Sequence, residues 1–323
     1  MKLYGKDRLK ARLDAVAANN RIPHAIMFSG NAGCGRKILA RYTAQLFLCG
    51  DHACGECAVC RNIENDSHPD VIFVKRECGG KYAIDDLRPI LRDTVVRPNN
   101  GDIKIYIFED LDTSLPKIQN ALLKLIEEPP AHLRFIFTCE NTDVVLETVM
   151  SRVMEFEVPD TSVGDCARCL VDGGADPQKA KELSEMFAGN IAKCRAILDS
   201  SDGSDREQKL IETARRAAAA IGKRDGFGTA AALSEFSGNS TREEFSAVFE
   251  YLSRILRDAL ALKYGGTAEF FGKAESRKIA GQFSEAEILN MLDAAFEVEK
   301  NSGRNPNLAL TAVYFTSKIL QNR

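Results

Sequence analysis

The sequence predicts an α/β fold, a parallel sheet in the first half of the chain followed by helices alone. Three observations predict it. Short apolar runs recur at residues 25–28, 71–74, 103–108 and 135–138; a glycine-rich turn joins the first run to a helical pattern; and beyond Pro159-Asp160 only helical spacing remains. At 323 residues the chain exceeds one ordinary core, so two or three domains are expected.

Leu9, Leu13 and Val16 share one helical face, and Asn19-Asn20 with Pro23 close that segment ahead of the strand at 25–28. Ser29-Gly30 starts the glycine turn, and apolar residues then recur at helical spacing over 38–48. The runs at 71–74, 103–108 and 135–138 read as buried parallel strands. The last two are preceded by helix-like segments at 84–92 and 118–126. Strands alternating with helices call for right-handed crossovers and a sheet covered on both faces. In the helix from about residue 114, Leu122, Leu125 and Ile126 point inward, Pro129-Pro130 stop it, and Lys124 falls on another face as a solvated lysine.

Helices follow at 177–187 and 191–198, which predicts a small helical domain. The polar stretch Ser200-Ser201-Asp202-Gly203-Ser204-Asp205 reads as a flexible linker to a third, helical part, where Phe245, Phe249, Leu252, Ile255, Leu256 and Ile288, Met291, Leu292, Ala295 repeat at about one helical turn. The expected domains are 1–159, 160–203 and 204–323.

Composition narrows the function. A net charge of −3 argues against a protein that coats DNA by positive potential, so any DNA contact is local or shared with partners. No apolar run approaches the length of a membrane span and the N-terminus has no secretory pattern, so a cytoplasmic protein is expected. Four of the ten cysteines crowd into 49–60, which fits one metal site in a reducing compartment better than a disulfide scaffold.

Gly30-Asn31-Ala32-Gly33-Cys34-Gly35-Arg36-Lys37 stands between strand and helix, where backbone N–H groups and a helix N-terminus hold phosphate. A working P-loop follows its last glycine with a lysine for the terminal phosphates and then a Ser or Thr for magnesium. Arg36 and Lys37 take those places. Arg36 keeps a charge on a wider fork; Lys37 has only donors and repels the metal it ought to hold. The run 103–108 ends in Glu109-Asp110, where a P-loop ATPase places one acid on magnesium and one on the attacking water. The alternatives are a glycine turn with no ligand and an acidic pair that is plain solvated charge.

With these residues in view the chain resembles the clamp-loader branch of the AAA+ ATPases, and within it the delta-prime type of subunit in bacterial DNA polymerase III. The resemblance rests on Arg21-Ile22-Pro23-His24-Ala25 leading into Phe28-Ser29-Gly30, on Asn120-Ala121-Leu122-Leu123-Lys124-Leu125-Ile126-Glu127-Glu128-Pro129-Pro130, and on Ser151-Arg152-Val153, which is similar to the family's Ser-Arg-Cys segment. It covers the first half; the last third agrees only in being helical. It implies a P-loop AAA+ parallel-sheet domain, a small helical lid and an all-helical C-terminal collar used for oligomerisation. Implied partners are motor subunits of gamma/tau type, delta-like subunits, a sliding clamp and, through the assembly, primed DNA. The family orders its acids Asp then Glu, whereas Glu109 precedes Asp110 here, and its second-domain sensor arginine aligns with Ala192 in Gly189-Asn190-Ile191-Ala192. Loss of the lysine, the hydroxyl, the acid order and the sensor cation implies a subunit that does not hydrolyse ATP. Arg152 matches the arginine that projects into a neighbour's ATP site; its alternative is a surface arginine that caps a strand or pairs with Glu155.

Cys49, Cys54, Cys57 and Cys60 follow C-x4-C-x2-C-x2-C spacing in a loop after the helix over 38–48, which lets four thiolates close a tetrahedron around a structural zinc. The family carries a similar insertion after this helix, with a longer gap behind the first cysteine. His52 is a spare ligand, and an iron–sulfur cluster ranks below zinc. Cys166 and Cys169 read as packing residues, and His24, His68 and His132 as structural. Two rival functions remain: an ATP-hydrolysing motor of the same family, and a zinc-bearing nucleic-acid-binding module.

Overall fold

The computed structural model describes residues 2–18, 22–74, 82, 84–199, 201–235, 242–268, 272–301 and 308–320. Asn19, Asn20, Arg21 and Ser200, used in the sequence reading, lie outside the described residues. The backbone divides into two compact units, Met1–Gly173 with Gly189–Ala192, and Gly174–Ala188 with Lys193–Arg323.

The first unit holds α1 (Asp7–Ala18), β1 (Ala25–Ser29), α2 (Arg36–Leu48), α3 (Ala58–Glu64), β2 (Val71–Val74), α4 (Ile84–Asp93), β3 (Lys104–Phe108), α5 (Pro116–Glu127), β4 (Leu133–Cys139), α6 (Glu147–Met150), β5 (Met154–Glu157) and α7 (Val163–Asp172). The strands form one parallel sheet in the order β2-β3-β4-β1-β5. Every residue of β1 and β3 is buried, as expected of strands covered on both faces. Side-chain alternation sorts them. Ile26, Phe28, Ile105, Ile107 and Ile136 pack with Leu9 and Leu13 of α1 and Leu39 and Leu46 of α2. Met27, Tyr106, Phe108, Phe135 and Phe137 face Leu87 of α4 and Leu122 and Ile126 of α5. Tyr106 stacks on Phe135 at 5.8 Å and Phe108 on Phe137 at 5.3 Å.

Polar anchors fix the edges. Asp70, buried just before β2, accepts the backbone N–H groups of Asn99 at 2.6 Å and Asn100 at 2.8 Å and the Asn99 side-chain amide at 3.0 Å. Burial pushes its pKa up, but these donors prevail and hold it below the ordinary carboxyl value. Asp93, which accepts Lys104 at 2.7 Å and Tyr106 at 2.5 Å, is likewise lowered against its burial. The folded pKa lies below the unfolded value of about 3.9, so this stability is present above that pH and is lost as pH falls through the folded value. Asp70→Ala orphans two backbone donors and is expected to cost about 3 kcal/mol near neutral pH, measured by urea unfolding. The variant should also lack that share of the wild type's acid destabilisation.

The second unit is helical: α8 (Pro177–Met186), α9 (Ile191–Asp199, whose first two residues belong to the first unit), α10 (Ser201–Ile221), α11 (Gly226–Ser234), α12 (Arg242–Lys263), α13 (Lys273–Gln282), α14 (Glu285–Asn301) and α15 (Leu308–Leu320). All nine apolar residues singled out at helical spacing between 245 and 295 are buried. Phe249 meets Phe245 and, edge-on, Phe315, each at 5.0 Å. No helix among the described residues is long and apolar enough to cross a membrane.

Three expectations change. Residues 201–205 are not a linker; they form the first turn of α10, because Ser and Asp, which favour turns, equally favour a helix N-terminus. Strand β5, with sequence Met-Glu-Phe-Glu, was not expected. As a sheet edge it buries only Phe156, so it lacks the apolar run that marks its neighbours. The cysteine segment is only partly loop: Cys57 caps α3 and Cys60 lies in its first turn. Cys166 and Cys169 are buried on α7, in packing positions as expected.

Candidate functional site

The glycine loop sits at the C-terminal end of β1, the end at which parallel sheets bind ligands. Gly33 has φ +81°, and a Cβ there would stand 2.1 Å from the Asn190 side-chain oxygen. Asn190 donates to the Ala32 carbonyl at 2.8 Å, so a side chain from the turn before α9 rests on the loop. Gly35, at φ +102°, is the N-cap of α2 with no side-chain cap, and the space above its Cα is open. Only glycine reaches both backbone states without strain. The loop therefore presents the helix N-terminus in the geometry of a phosphate site.

The sheet order explains what surrounds it. Between β1 and β3 lies β4, so the ends of all three strands converge, and α2 crosses above them. Glu109 and Asp110 follow β3. Asp110 is in the left-handed region and its N–H donates to Thr138 of β4 at 2.8 Å. Lys37 Nζ lies 2.9 Å from a Glu109 oxygen and 2.9 Å from an Asp110 oxygen. Arg41, one turn further along α2, approaches Glu109 at 3.2 Å, forks onto both oxygens of Asp66 at 3.1 Å and stacks over Phe73 at 4.6 Å. Arg36 is buried, 3.6 Å from Asp110 and 3.9 Å from Glu140, and its Nη1 has no hydrogen-bond partner. Glu140, immediately after β4, accepts the Ala32 N–H at 3.3 Å.

Gly30, Gly33, Gly35, Arg36, Lys37, Glu109 and Asp110 are thus brought together. An ammonium bridges the two carboxylates that would otherwise serve a metal and a water. Arg41, Glu140 and Asn190 were missed by sequence reasoning. The i, i+4 spacing of Lys37 and Arg41 was a usable signal for the first. Glu140 and Asn190 reach the loop only through strand order and tertiary folding. Ala192 is exposed on α9 and offers no cation.

The four cysteines form the second cluster. Their Sγ atoms all lie within 4.8 Å of one another, with Cys49 3.8 Å from Cys54 and 3.7 Å from Cys57. Tetrahedral zinc with thiolates at its usual bond length sets sulfur–sulfur separations of about 3.8 Å, so the set fits that ion. Backbone N–H groups of Asp51, Cys57 and Cys60 donate to Cys49, Cys54 and Cys57, each at 3.4 Å. Burial pushes the Cys49 thiol up, yet the backbone N–H groups of Cys54 and Asp51 and the Cys60 and Cys57 thiols bring it down to about 7; burial sends Cys60 up to about 12. From beneath, Gln45 of α2 accepts the Cys49 N–H at 2.8 Å and donates its side-chain amide to the Cys60 carbonyl at 2.9 Å. His52 is not among the clustered ligands.

Arg152 lies apart from both clusters, between α6 and β5. It is 2.9 Å from Glu127 at the end of α5 and donates to the Thr148 carbonyl at 2.9 Å and the Ser151 hydroxyl at 3.0 Å; 37% of its side chain is exposed. Glu155, the partner weighed from sequence, instead accepts the Ser29 hydroxyl at 2.5 Å. His68 accepts the Asp70 N–H at 3.1 Å and His132 meets the Thr94 carbonyl at 3.1 Å, both structural arrangements.

Residues 5–162 match the family model for "DNA polymerase III, delta subunit". Among curated proteins, the tau subunit of DNA polymerase III from Salmonella typhimurium is 31% identical over 160 residues, covering 48% of this chain and 25% of that protein. The gamma subunit from Buchnera aphidicola subsp. Baizongia pistaciae is 28% identical over 154 residues, covering 46% and 41%. The chain thus spans well under half the length of these relatives. Among solved structures, a gamma subunit-related protein of Thermotoga maritima is 16% identical with a TM-score of 0.41, covering 96% of this chain and 98% of that one. The Bacillus subtilis clamp loader delta protein is 13% identical with a TM-score of 0.34, covering 97% and 100%. TM-scores of this size do not by themselves establish a common fold. The sequence match spans the whole parallel sheet, the glycine loop and the cysteine quartet, and over these 158 of its 323 residues the chain is similar to the DNA polymerase III delta-subunit family.

Proposed function

We propose that this chain is a delta-prime-like subunit of a replicative clamp loader, unable to hydrolyse ATP in its own site. It supplies Arg152 to the ATP site of a neighbouring gamma/tau-like motor while a sliding clamp is placed on primed DNA. The observation that carries the reading is Lys37, whose ammonium stands 2.9 Å from both Glu109 and Asp110. Hydrolysis of a nucleoside triphosphate needs a metal on the phosphates and a polarised water. With a cation already on both acids and no hydroxyl at position 37, this loop offers neither.

Arg152 suits a role outside its own subunit. Its guanidinium is planar, permanently charged and partly exposed, and its present partner, Glu127, is 46% exposed. A surface pair of this kind contributes about 0–1 kcal/mol, so the side chain can exchange Glu127 for phosphate at little cost. The zinc held by Cys49, Cys54, Cys57 and Cys60 is structural, since four thiolates leave no position for water. Residues 160–203 act as the lid and 204–323 as the collar that joins motor and delta-like subunits in the cytoplasm.

A motor reading has one specific point in its favour, that the matched relatives are named tau and gamma. Turnover separates the two. The purified chain, alone and with primed DNA, is expected to release phosphate from MgATP at background rate. Hydrolysis abolished by Arg36→Ala would establish the motor instead. A zinc-bearing DNA-binding module predicts tight, salt-sensitive DNA binding by the isolated chain, which a gel shift reads directly.

A further inference from the structure

We propose that the phosphate loop is filled from within, Glu140 standing in for a nucleotide phosphate and Lys37 for its metal ion; this rests on the non-hydrolysing reading and names the side chains that enforce it. Glu140 brings a carboxylate to the Ala32 N–H at 3.3 Å and to within 3.9 Å of Arg36. Those are a loop amide and the cation that follows the last glycine, two groups that a P-loop directs at phosphate. Lys37 brings a positive charge to within 2.9 Å of both acids after β3, which is where a metal would be held. The two substitutions are complementary: an anion replaces the anionic ligand and a cation replaces the cationic one.

Charge shows why a nucleotide gains little by entering. Arg36, Lys37 and Arg41 face Asp66, Glu109, Asp110 and Glu140, three positive groups against four negative, a formal −1. A triphosphate adds several negative charges to that balance, and the metal that would offset them finds its carboxylates neutralised. The loop is also braced in this state. Asn190 donates to the Ala32 carbonyl at 2.8 Å and Asn31 donates to Asp160 at 2.9 Å. The buried Arg36 Nη1 is left without an acceptor, as expected where a carboxylate with two oxygens replaces a phosphate with more. Glu140 and Lys37 remain 54% and 42% exposed, so both can be replaced without opening the core.

The test measures equilibrium binding of a fluorescent ATP analogue to the full chain, with and without Mg2+, for wild type, Glu140→Gln, Lys37→Thr and the double variant. Wild type is expected to bind weakly and without a Mg2+ effect. Glu140→Gln should gain about tenfold and the double variant about a hundredfold, with the Lys37→Thr share appearing only with Mg2+. Wild-type binding as tight as that of the double variant would overturn the proposal, as would no gain in variants whose melting and circular dichroism match wild type. Should the double variant fail to fold, the isosteric Glu140→Gln decides alone: no gain overturns it. ATP turnover by the wild type would defeat the non-hydrolysing reading itself, whereas tight wild-type binding without turnover would defeat only the self-filled site.

Discussion

Arg152→Ala, built into a loader reconstituted with motor and delta-like subunits, is expected to slow ATP hydrolysis at the one site it serves by ~10³–10⁵. Total DNA-stimulated turnover then falls by that site's share, and clamp loading falls with it. The size follows from what the side chain contributes. Phosphoryl transfer spreads negative charge over the equatorial oxygens, and a guanidinium fork placed against them stabilises that charge in a site from which water is excluded. The same substitution barely touches this chain's stability, because Arg152 gives up only a partly exposed pair with Glu127 and contacts to Thr148 and Ser151. Melting of the isolated subunit should be unchanged while the assembly loses activity. Arg152→Lys keeps the charge but not the two-pronged geometry and should recover little. Full turnover and loading with Arg152→Ala would remove the residue from the mechanism.

Loss of the metal from the cysteine quartet is the second large effect. One zinc per chain is expected by elemental analysis of reduced protein, and Cys60→Ser should abolish it. Cys60 is buried in the first turn of α3 and tied through its carbonyl to Gln45 of α2. A ligand lost there unlocks a buried junction as well as an ion. Structural zinc binding of this type is worth about 10–16 kcal/mol in small zinc domains. Even a small fraction of that, transmitted to α2, exceeds what surface substitutions contribute, and a large drop in melting temperature is expected. Metal binding displaces thiol protons, so zinc should be released on acidification and retained above neutrality. Reduced, intact protein with no metal would overturn the assignment.

Much of this architecture was legible because its signals are local. Residues 71–74 coincide with β2, and the runs at 25–28, 103–108 and 135–138 lie within β1, β3 and β4 or overrun them by one residue. A strand buried on both faces must be apolar throughout, and such runs stand out. Lys37, Glu109 and Asp110 were legible as a damaged site because the P-loop fixes what each position has to do. That Lys37 would bridge both acids was not, since the distance depends on the crossing of α2 over β3. Glu140 and Asn190 reach the loop from β4 and from the turn before α9, contacts that only the assembled fold creates. The first turn of α10 was misread because Ser and Asp serve a turn and a helix N-terminus equally well, and the edge strand β5 was missed because, burying only Phe156, it has no apolar run to mark it.

As proposed, this subunit controls hydrolysis in a neighbour while its own site stays closed. The most direct measurement is a structure of the assembled loader trapped with a transition-state mimic of ATP on its motor subunits. The Arg152 guanidinium is expected to be released from Glu127 and within hydrogen-bonding distance of the terminal phosphate position next door, with Lys37 still between Glu109 and Asp110. An Arg152 still paired with Glu127 and facing solvent, or a metal-bound nucleotide in this chain's own loop, would contradict it.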